Sequence, residues 1–178
     1  MQHLRQSGEQ IVLFILSLIG IAIAIYLTIV HYNSHVQLIC SSSGIINCEH
    51  VLASPYAYIP GTSIPTSVAG IAWSMVGALL AIAAWLIWPE KRRVLIAELV
   101  WGAIGILTVF YLVYAEIVVL HAICAWCTVV HFIVLLYLLI VVFLVSRSTD
   151  ELEAEVEQEP AEMSMKSNAH AYPSQRAR

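Results

Sequence analysis

Four long apolar stretches divide the chain, and almost all of their length is free of charged side chains. No Asp, Glu, Lys or Arg occurs in residues 11–30, 67–88 or 124–145, and Glu116 is the only one in residues 99–120. A helix of about 20 apolar residues crosses the roughly 30 Å of hydrocarbon in a bilayer. The pattern therefore predicts an all-α, polytopic membrane protein, a bundle of four transmembrane helices at about residues 11–31, 67–88, 95–119 and 123–145.

Two other interpretations of these stretches are disfavoured. A soluble protein could bury four helices in its core, but 60% of this chain is hydrophobic and only 11% is charged, which leaves too little polar surface to cover such a core. The first stretch could be a cleaved signal peptide, since Arg5 precedes it and residues 22–24 resemble a cleavage site. Residues 25–30 continue the apolar run beyond that site, so a retained first helix is predicted.

The basic residues lie on one side of the predicted bundle. They precede the first helix, separate helices two and three, or follow helix four: Arg5, Lys91, Arg92, Arg93, Arg147, Lys166, Arg176 and Arg178. Because positive charge stays in the cytoplasm during insertion, the pattern predicts a multi-pass protein of the cell (inner) membrane with both termini cytoplasmic. The long loop at residues 32–66 and the short turn near His121 are predicted to lie on the extracytoplasmic side.

The predicted membrane domain spans residues 11–146, between a cytoplasmic N-terminus at residues 1–10 and a tail at residues 147–178. Six Glu residues between positions 151 and 162 and few apolar side chains predict a disordered, acidic cytoplasmic tail. The sequence has no basic patch interleaved with aromatic side chains, which excludes nucleic acid as a partner. Anchoring at the membrane interface is predicted for most of the tryptophans, Trp73, Trp85, Trp88, Trp101 and Trp126.

Four cysteines, all on the predicted extracytoplasmic and oxidising side, carry the candidate chemistry. Cys124 and Cys127 form a C-x-x-C motif at the predicted start of the last helix, where residues three apart share a face and their sulfurs can form a disulfide. Amide groups at a helix start stabilise a thiolate, the species that attacks disulfides. Redox cycling is therefore one interpretation, and half of a zinc site, which has the same spacing, is another.

Cys40 and Cys48 enclose a polar segment of the long loop. Asn47 is a suitable cap for a short helix at residues 48–53, which Pro55 would end, and this helix start would activate Cys48 as well. The two cysteines could form an inert loop disulfide, or a mobile pair that exchanges with the C-x-x-C motif. A metal site remains a further alternative, because histidines accompany the cysteines in the outer half: His35, His50, His121 and His131.

The order and spacing of these residues are specific. Cys48 follows Cys40 after seven residues, and Ser54 follows Cys48 after five. Pro60-Gly61 and then Ser-Val-Ala-Gly at residues 67–70 lead into the second helix, and the C-x-x-C motif opens the last one. Over residues 11–145 this arrangement resembles the vitamin K epoxide reductase family.

The resemblance implies a four-helix bundle that encloses a quinone, of the ubiquinone or menaquinone (vitamin K) type, as co-substrate. It also implies that Cys40 accepts electrons from a separate thioredoxin-like or DsbA-like thiol protein and that Cys48 passes them to Cys124 through a transient mixed disulfide. Cys127 would lie beside the quinone, and Ser54 would lie beside the contact between the cysteine pairs. The implied activity is that of a thiol:quinone oxidoreductase that supports disulfide bond formation.

Two positions depart from the animal enzymes of that family. His131 stands where they have a tyrosine four residues after the C-x-x-C motif, and Thr66 stands where they have an asparagine before the second helix. Together with Trp126, these residues are expected to contact the quinone. No fifth apolar stretch follows the four, so a stand-alone, prokaryotic-type relative without a fused thioredoxin-like domain is expected.

Several alternatives remain beside this interpretation. A quinone-linked thiol oxidase of the DsbB type also has four helices and two cysteine pairs, but its C-x-x-C motif lies in the first outer loop. The physiological direction could instead be reduction of a quinone or of vitamin K epoxide, and a non-enzymatic membrane protein could bind a metal through Cys and His. Glu116, an ionisable residue within a span, could relay a proton to the quinol or hydrogen-bond a neighbouring helix.

Overall fold

The chain folds into helices joined by one structured loop. The computed structural model describes the backbone of residues 2–33, 35–36, 38–40, 44–86 and 91–171, and it describes the side chains of residues 8–150 within those ranges except that of Lys91. The α-helices in this part of the chain are α1 (Gln2–Tyr32), α2 (Cys48–Leu52), α3 (Thr66–Leu86), α4 (Lys91–Tyr114) and α5 (Ala125–Ala171). A 3-10 turn at Pro55–Ala57 follows α2, and a π-helix at Ala115–Val119 follows α4.

The helices confirm the predicted all-α fold with four transmembrane segments. Stretches long and apolar enough to cross a membrane occur at Gly8–Tyr32, Thr66–Leu86, Arg92–Val119 and Ala125–Asp150. The outward faces of these stretches expose many large apolar side chains, as expected for helices solvated by lipid. The second span was expected to reach residue 88, and residues 87–88 lie outside the described part of the chain.

Small side chains on α3 allow the other helices to approach closely. α1 packs mainly against α3, and α4 packs mainly against α5. Gly77 and Ala81 lie on the buried face of α3, and Leu13 of α1 and Tyr137 of α5 fill the adjoining space in the same apolar cluster as Ala81. Close packing of this kind stabilises helices in lipid, where burial of apolar surface contributes little.

The two ends of the bundle differ in chemistry. One end, called the basic end below, carries Arg92, Arg93 and Arg147. There the Arg147 guanidinium forms an ion pair with Glu9 of α1 at 3.2 Å. The opposite end, called the cysteine end, carries the loop between α1 and α3, the turn that precedes α5, and all four cysteines.

The last helix extends past its predicted end. α5 continues from Ala125 to Ala171, whereas the acidic composition predicts a disordered tail from residue 147. Glu, Ala, Met and Lys are strong helix formers, and Pro160 is the only proline between residues 147 and 171. The backbone therefore continues the helical geometry of the span, and the predicted boundary at residue 146 is not a helix end; residues 172–178 lie outside the described part of the chain.

Candidate functional site

Backbone pairing attaches the long loop to the residues that precede α5. Ile46 and Ile123 form a parallel β-bridge. The Ile123 N–H donates to the carbonyl of the residue before Ile46 at 2.9 Å, and the Asn47 N–H donates to the Ile123 carbonyl at 3.1 Å. The next residues along the two segments are Cys48 and Cys124. The pairing therefore holds the second loop cysteine beside the C-x-x-C motif.

The short helix α2 presents Cys48 to this junction. Asn47 caps the helix by accepting the His50 N–H at 3.0 Å, as predicted from its position. Cys48 is the first residue of α2 and forms a disulfide with Cys40, with their Cα atoms 6.2 Å apart. The loop pair is therefore oxidised and held at the edge of the bundle.

Both cysteine pairs belong to one apolar cluster at the cysteine end. Cys48 and Cys124 are buried members of this cluster, 1% and 0% exposed, and Cys40 and Cys127 pack against it. Cys124 and Cys127 are free thiols. The structure thus brings together all four cysteines, which is the arrangement that thiol–disulfide exchange between two pairs requires.

Cys124 is the better thiolate of the C-x-x-C motif because it lies immediately before the first residue of α5. A hydrogen bond from the Cys127 side chain lowers the pKa of the Cys124 thiol, and this effect exceeds the opposing effect of burial. The Cys127 backbone N–H also donates to the Cys124 sulfur, at 3.3 Å. Such bonds at a helix start stabilise the thiolate and so favour nucleophilic attack.

An apolar cavity of about 390 Å³ lies between the four spans, next to the cysteine cluster. Its volume falls in the range of about 300–1,000 Å³ that small-molecule sites occupy. Of the four cysteines, Cys127 alone lines this cavity. Cys124 faces the loop junction and Cys127 faces the cavity, so the C-x-x-C motif connects the two.

Several polar side chains line the cavity near its cysteine end. His131 and Thr66 are among them, in the lining where quinone contacts were expected. Glu116 is another; it is 6% exposed and accepts the Cys124 N–H at 3.4 Å. Glu116 belongs to the π-helix, whose extra residue per turn is typical of functional sites and changes the direction of the side chains it carries.

Two tryptophans, called the tryptophan floor below, close the cavity on the side of the basic end. The Trp73 indole donates to the Trp101 carbonyl at 3.3 Å, and the Trp101 indole donates to the Trp73 carbonyl at 3.0 Å. Both residues line the cavity. Interface anchoring was predicted for most of the tryptophans, and these two instead bind each other across α3 and α4. No sequence signal marked this pair, since the contact depends on how the two helices pack.

Comparison with known proteins agrees with this geometry. The model of the vitamin K epoxide reductase family, VKOR, matches residues 11–142, from the first span into the fourth. The chain belongs to this family. No curated protein matches it at a significant level. Together with the four apolar helices, the family match identifies a multi-pass membrane oxidoreductase, and members of the vitamin K epoxide reductase family act on quinones or vitamin K.

Trp126 does not line the cavity of this vitamin K epoxide reductase family member. Its indole N–H donates to the Ile39 carbonyl at 2.9 Å, and its ring contacts the Tyr26 ring at a centroid distance of 5.1 Å. Ile39 immediately precedes Cys40. Trp126 therefore anchors the part of the loop that leads into Cys40.

Ser54 lies at the end of α2, on the loop side of the cysteine cluster. It is 6% exposed, and its hydroxyl donates to the Val51 carbonyl at 2.7 Å. Val51 is a buried member of the apolar cluster that contains Cys48 and Cys124. Ser54 thus stabilises the end of the short helix that carries Cys48.

The other interpretation of the Cys and His residues was a metal site. Within the described part of the chain, no group of three His, Cys, Asp or Glu side chains is close enough to hold one ion. His35, His50 and His121 are exposed, whereas His131 is buried in the cavity lining. The geometry therefore gives no support to the metal-binding alternative.

Proposed function

We propose that this protein is a membrane thiol:quinone oxidoreductase that oxidises a thioredoxin-like or DsbA-like protein outside the cytoplasm, reduces a membrane quinone and so supports disulfide bond formation. The observation that carries the proposal is the backbone pairing that holds Cys48 beside Cys124, while Cys127 lines the apolar cavity. The loop pair reacts with the partner protein, and the C-x-x-C pair reacts at the cavity. Electrons therefore have a short route from the partner to the quinone.

The first transfer is from the partner to the loop. A thiolate of the reduced partner attacks the sulfur of Cys40, the second partner thiol closes the partner's own disulfide, and Cys40 and Cys48 are released as thiols. Cys40 is suited to this attack because it packs at the edge of the cluster, whereas Cys48 is fully buried within it.

The second transfer is from the loop to the C-x-x-C motif. Cys48 attacks the sulfur of Cys124 in an oxidised Cys124–Cys127 pair, which forms a Cys48–Cys124 mixed disulfide and frees Cys127 beside the cavity. Cys40 then attacks Cys48, restores the loop disulfide and leaves both C-x-x-C sulfurs reduced. An oxidised loop pair with two free thiols in the motif is the distribution in this structure, and it corresponds to the state that precedes quinone reduction.

In the final step the two C-x-x-C thiols become a disulfide, and their two electrons reduce the quinone to the quinol with uptake of two protons. Glu116 lies beside the C-x-x-C motif, because it accepts the Cys124 N–H and lines the cavity together with Cys127. We assign Glu116 the role of accepting the proton of the Cys127 thiol as its electrons leave.

The cavity is suited to a quinone ring. Its lining is mostly apolar, which fits the ring and the start of an isoprenoid chain, and it excludes water from the reduction. Thr66 and His131 can donate hydrogen bonds to ring carbonyls. His131 follows Cys127 by four residues on α5, so the two side chains lie on one face about one turn apart.

The charges at the two ends of the bundle support the orientation of this reaction. Arg92, Arg93 and Arg147 lie at the basic end, which the positive-inside rule assigns to the cytoplasm. The cysteine end would then face the compartment in which disulfides form.

The test combines purified protein in detergent with a reduced thioredoxin-like protein and an analogue of ubiquinone or menaquinone. Quinone absorbance and loss of partner thiols are followed in the same sample. Cys127→Ser removes the sulfur that lines the cavity, and Ser148→Ala, a change at the basic end, serves as the matched control.

We expect one quinol for each partner disulfide formed, with the coupled reaction abolished in Cys127→Ser and retained in Ser148→Ala. The proposal fails if neither quinone is reduced. It also fails if Cys127→Ser reduces the quinone at the rate of the parent protein.

A further inference from the structure

A group of polar side chains is buried near the basic end, where the proposed reaction does not use it. Gln10 of α1, Glu98 of α4 and Tyr137 of α5 are 3%, 0% and 0% exposed. The Gln10 amide donates to one Glu98 carboxylate oxygen at 3.3 Å. The second Glu98 oxygen, the Gln10 carbonyl oxygen and the Tyr137 hydroxyl are buried and have no hydrogen-bond partner among the side chains that the structure describes. These three residues are called the buried polar cluster below.

A purely structural role accounts poorly for this cluster. An ionisable side chain inside a span is expensive, and buried polar atoms normally have partners. A structural hydrogen bond between helices would satisfy its members, whereas three oxygens here have no partner among the described side chains. Polar atoms left in this way are the usual partners of buried water.

The cluster lies directly beneath the tryptophan floor of the cavity. Trp101 follows Glu98 by three residues on α4, a rise of about 4.5 Å. The ring of Tyr137 packs edge-on against the ring of Trp73, with centroids 5.4 Å apart. Glu98 of α4 and Tyr137 of α5 are both fully buried, and these two helices pack against each other. Tyr137 therefore connects the buried polar cluster with the underside of the floor.

The hydroxyl groups of two serines lie between Tyr137 and the cavity. At Gly77 of α3, an added Cβ would lie 3.2 Å from the Ser17 hydroxyl and 3.5 Å from the Tyr137 ring, so both side chains border the space beside this glycine. Ser74 lies about one turn further along α3 and lines the cavity. Ser17 and Ser74 are 1% and 5% exposed, which places both hydroxyls inside the bundle.

The charged groups around the cluster connect it to the basic end. Glu9, the neighbour of Gln10, pairs with Arg147 at 3.2 Å. Arg92 and Arg93, at the start of α4, are exposed. Glu98 lies about two turns beyond Arg92, so the carboxylate is inside the span but close to the water at this end.

We propose that the buried polar cluster takes up protons at the basic end and delivers them, through Tyr137, Ser17 and Ser74, to the cavity, so that thiol oxidation separates charge across the membrane. The proposal rests on the function proposed above. Over one cycle two electrons pass from the partner dithiol through the cysteine pairs, and the two thiol protons leave at the cysteine end, the proton of Cys127 by way of Glu116. The quinone takes those two electrons and two protons from the opposite end to form the quinol, which is equivalent to moving two charges across the membrane.

The test uses the full chain in proteoliposomes that contain a quinone analogue, with the reduced thioredoxin-like protein outside. Only molecules whose cysteine end faces outward then turn over. A pH indicator sealed inside reports protons taken from the basic end, a voltage-sensitive dye reports the membrane potential, and absorbance reports quinol. Three variants are compared: Glu98→Gln, Tyr137→Phe, which keeps the ring on Trp73, and Asp150→Asn, which removes an exposed carboxylate at the same end as a control.

We expect the parent protein and Asp150→Asn to alkalinise the interior and to make it electrically negative, with about two protons consumed inside for each quinol. Glu98→Gln should slow quinol formation by about 10²-fold, the usual effect of losing a proton-transferring group. The protons consumed inside per quinol should fall in Glu98→Gln and Tyr137→Phe, while exchange between the cysteine pairs continues at the parent rate.

Other outcomes separate this proposal from the function on which it rests. Quinol formation without interior alkalinisation in the parent protein would overturn the proton route and leave the thiol:quinone reaction intact. A slower Glu98→Gln protein with an unchanged proton-to-quinol ratio would reduce the cluster to a structural role. Absence of quinol formation by the parent protein would overturn both proposals.

Discussion

The two cysteines of the C-x-x-C motif have different positions and different roles. Cys124 precedes the first residue of α5 and faces the loop, whereas Cys127 is one turn into the helix and lines the cavity. A shared hydrogen bond lowers the pKa of Cys124, so in the proposed route this sulfur leaves readily as a thiolate when Cys40 attacks Cys48. Glu116 accepts the Cys124 N–H and lines the same cavity as Cys127.

At this scale we expect Cys127→Ala to raise the pKa of Cys124, because the largest cause of the lowered value is the Cys127 side chain. The thiolate fraction of Cys124 rises as pH rises through its pKa, so the variant should need a higher pH for the same alkylation rate. The rate of iodoacetamide addition is measured by mass spectrometry of the Cys124 peptide across pH. Cys127→Ser keeps a hydrogen-bond donor and should shift the profile less; equal profiles for the parent and Cys127→Ala would contradict the assignment.

Elements, more than single residues, bring the two cysteine pairs together. The β-bridge between Ile46 and Ile123 aligns the loop with the start of α5, and the cap at Asn47 starts α2 directly after it. Trp126 anchors the preceding part of the loop through the Ile39 carbonyl. Transfer from Cys48 to its neighbour therefore needs only local movement.

Removal of Cys40 should trap the mixed disulfide between the loop and the C-x-x-C motif. In Cys40→Ser, Cys48 can still attack the oxidised C-x-x-C motif, but no thiol remains in the loop to resolve the mixed disulfide. We expect a Cys48–Cys124 crosslink, detected by mass spectrometry after proteolysis without reductant. The double variant Cys40→Ser/Cys124→Ser should lack it, and a crosslink from Cys48 to Cys127 in the single variant would contradict the proposed route.

A side chain added at Gly105 should disturb the packing between α3 and α4. A Cβ at this position would lie 2.7 Å from the Trp73 ring, so Gly105→Ala must displace the tryptophan floor. We expect a loss of about 1–3 kcal/mol in unfolding free energy, together with a raised KM for the quinone. Gly8→Ala is the control, because an added Cβ there meets nothing within 4 Å; equal thermal stability and KM in both variants would show that the floor is not constrained.

The sequence predicted those features that depend on length, charge and local pattern. The four spans follow from apolar length alone, and the cap at Asn47 follows from the residue type before a short helix. The pairing of Ile46 with Ile123, the π-helix at Ala115–Val119 and the tryptophan floor could not be predicted, because each depends on contacts between segments far apart in the chain. For the same reason the hydrogen bond from Trp126 to the loop could not be predicted.

In the molecule as a whole, the cysteines and the positive charges lie at opposite ends. All four cysteines lie at one end of the bundle, and Arg92, Arg93 and Arg147 lie at the other. Because hydrocarbon fills the space between the ends, each end meets a different compartment. The cavity lies between them and is bounded by the C-x-x-C motif on one side and the tryptophan floor on the other.

Orientation in the membrane is tested by labelling. In a background with all four cysteines changed to serine, Ser63→Cys lies in the loop at the cysteine end and Asp150→Cys lies at the basic end. An impermeant maleimide added to spheroplasts should label Ser63→Cys and should label Asp150→Cys only after the membrane is permeabilised. The reverse pattern would contradict the orientation predicted from charge.

The tryptophan floor also gives the molecule an intrinsic optical signal. Trp73 and Trp101 hold their indole rings at the bottom of the cavity by reciprocal hydrogen bonds, and both line the space that a bound ring would enter. An electron-poor aromatic ring quenches indole emission, whereas its reduced form quenches it less. Fluorescence at the floor would then follow both the filling of the cavity and the redox state of its occupant during a single turnover, without any added dye.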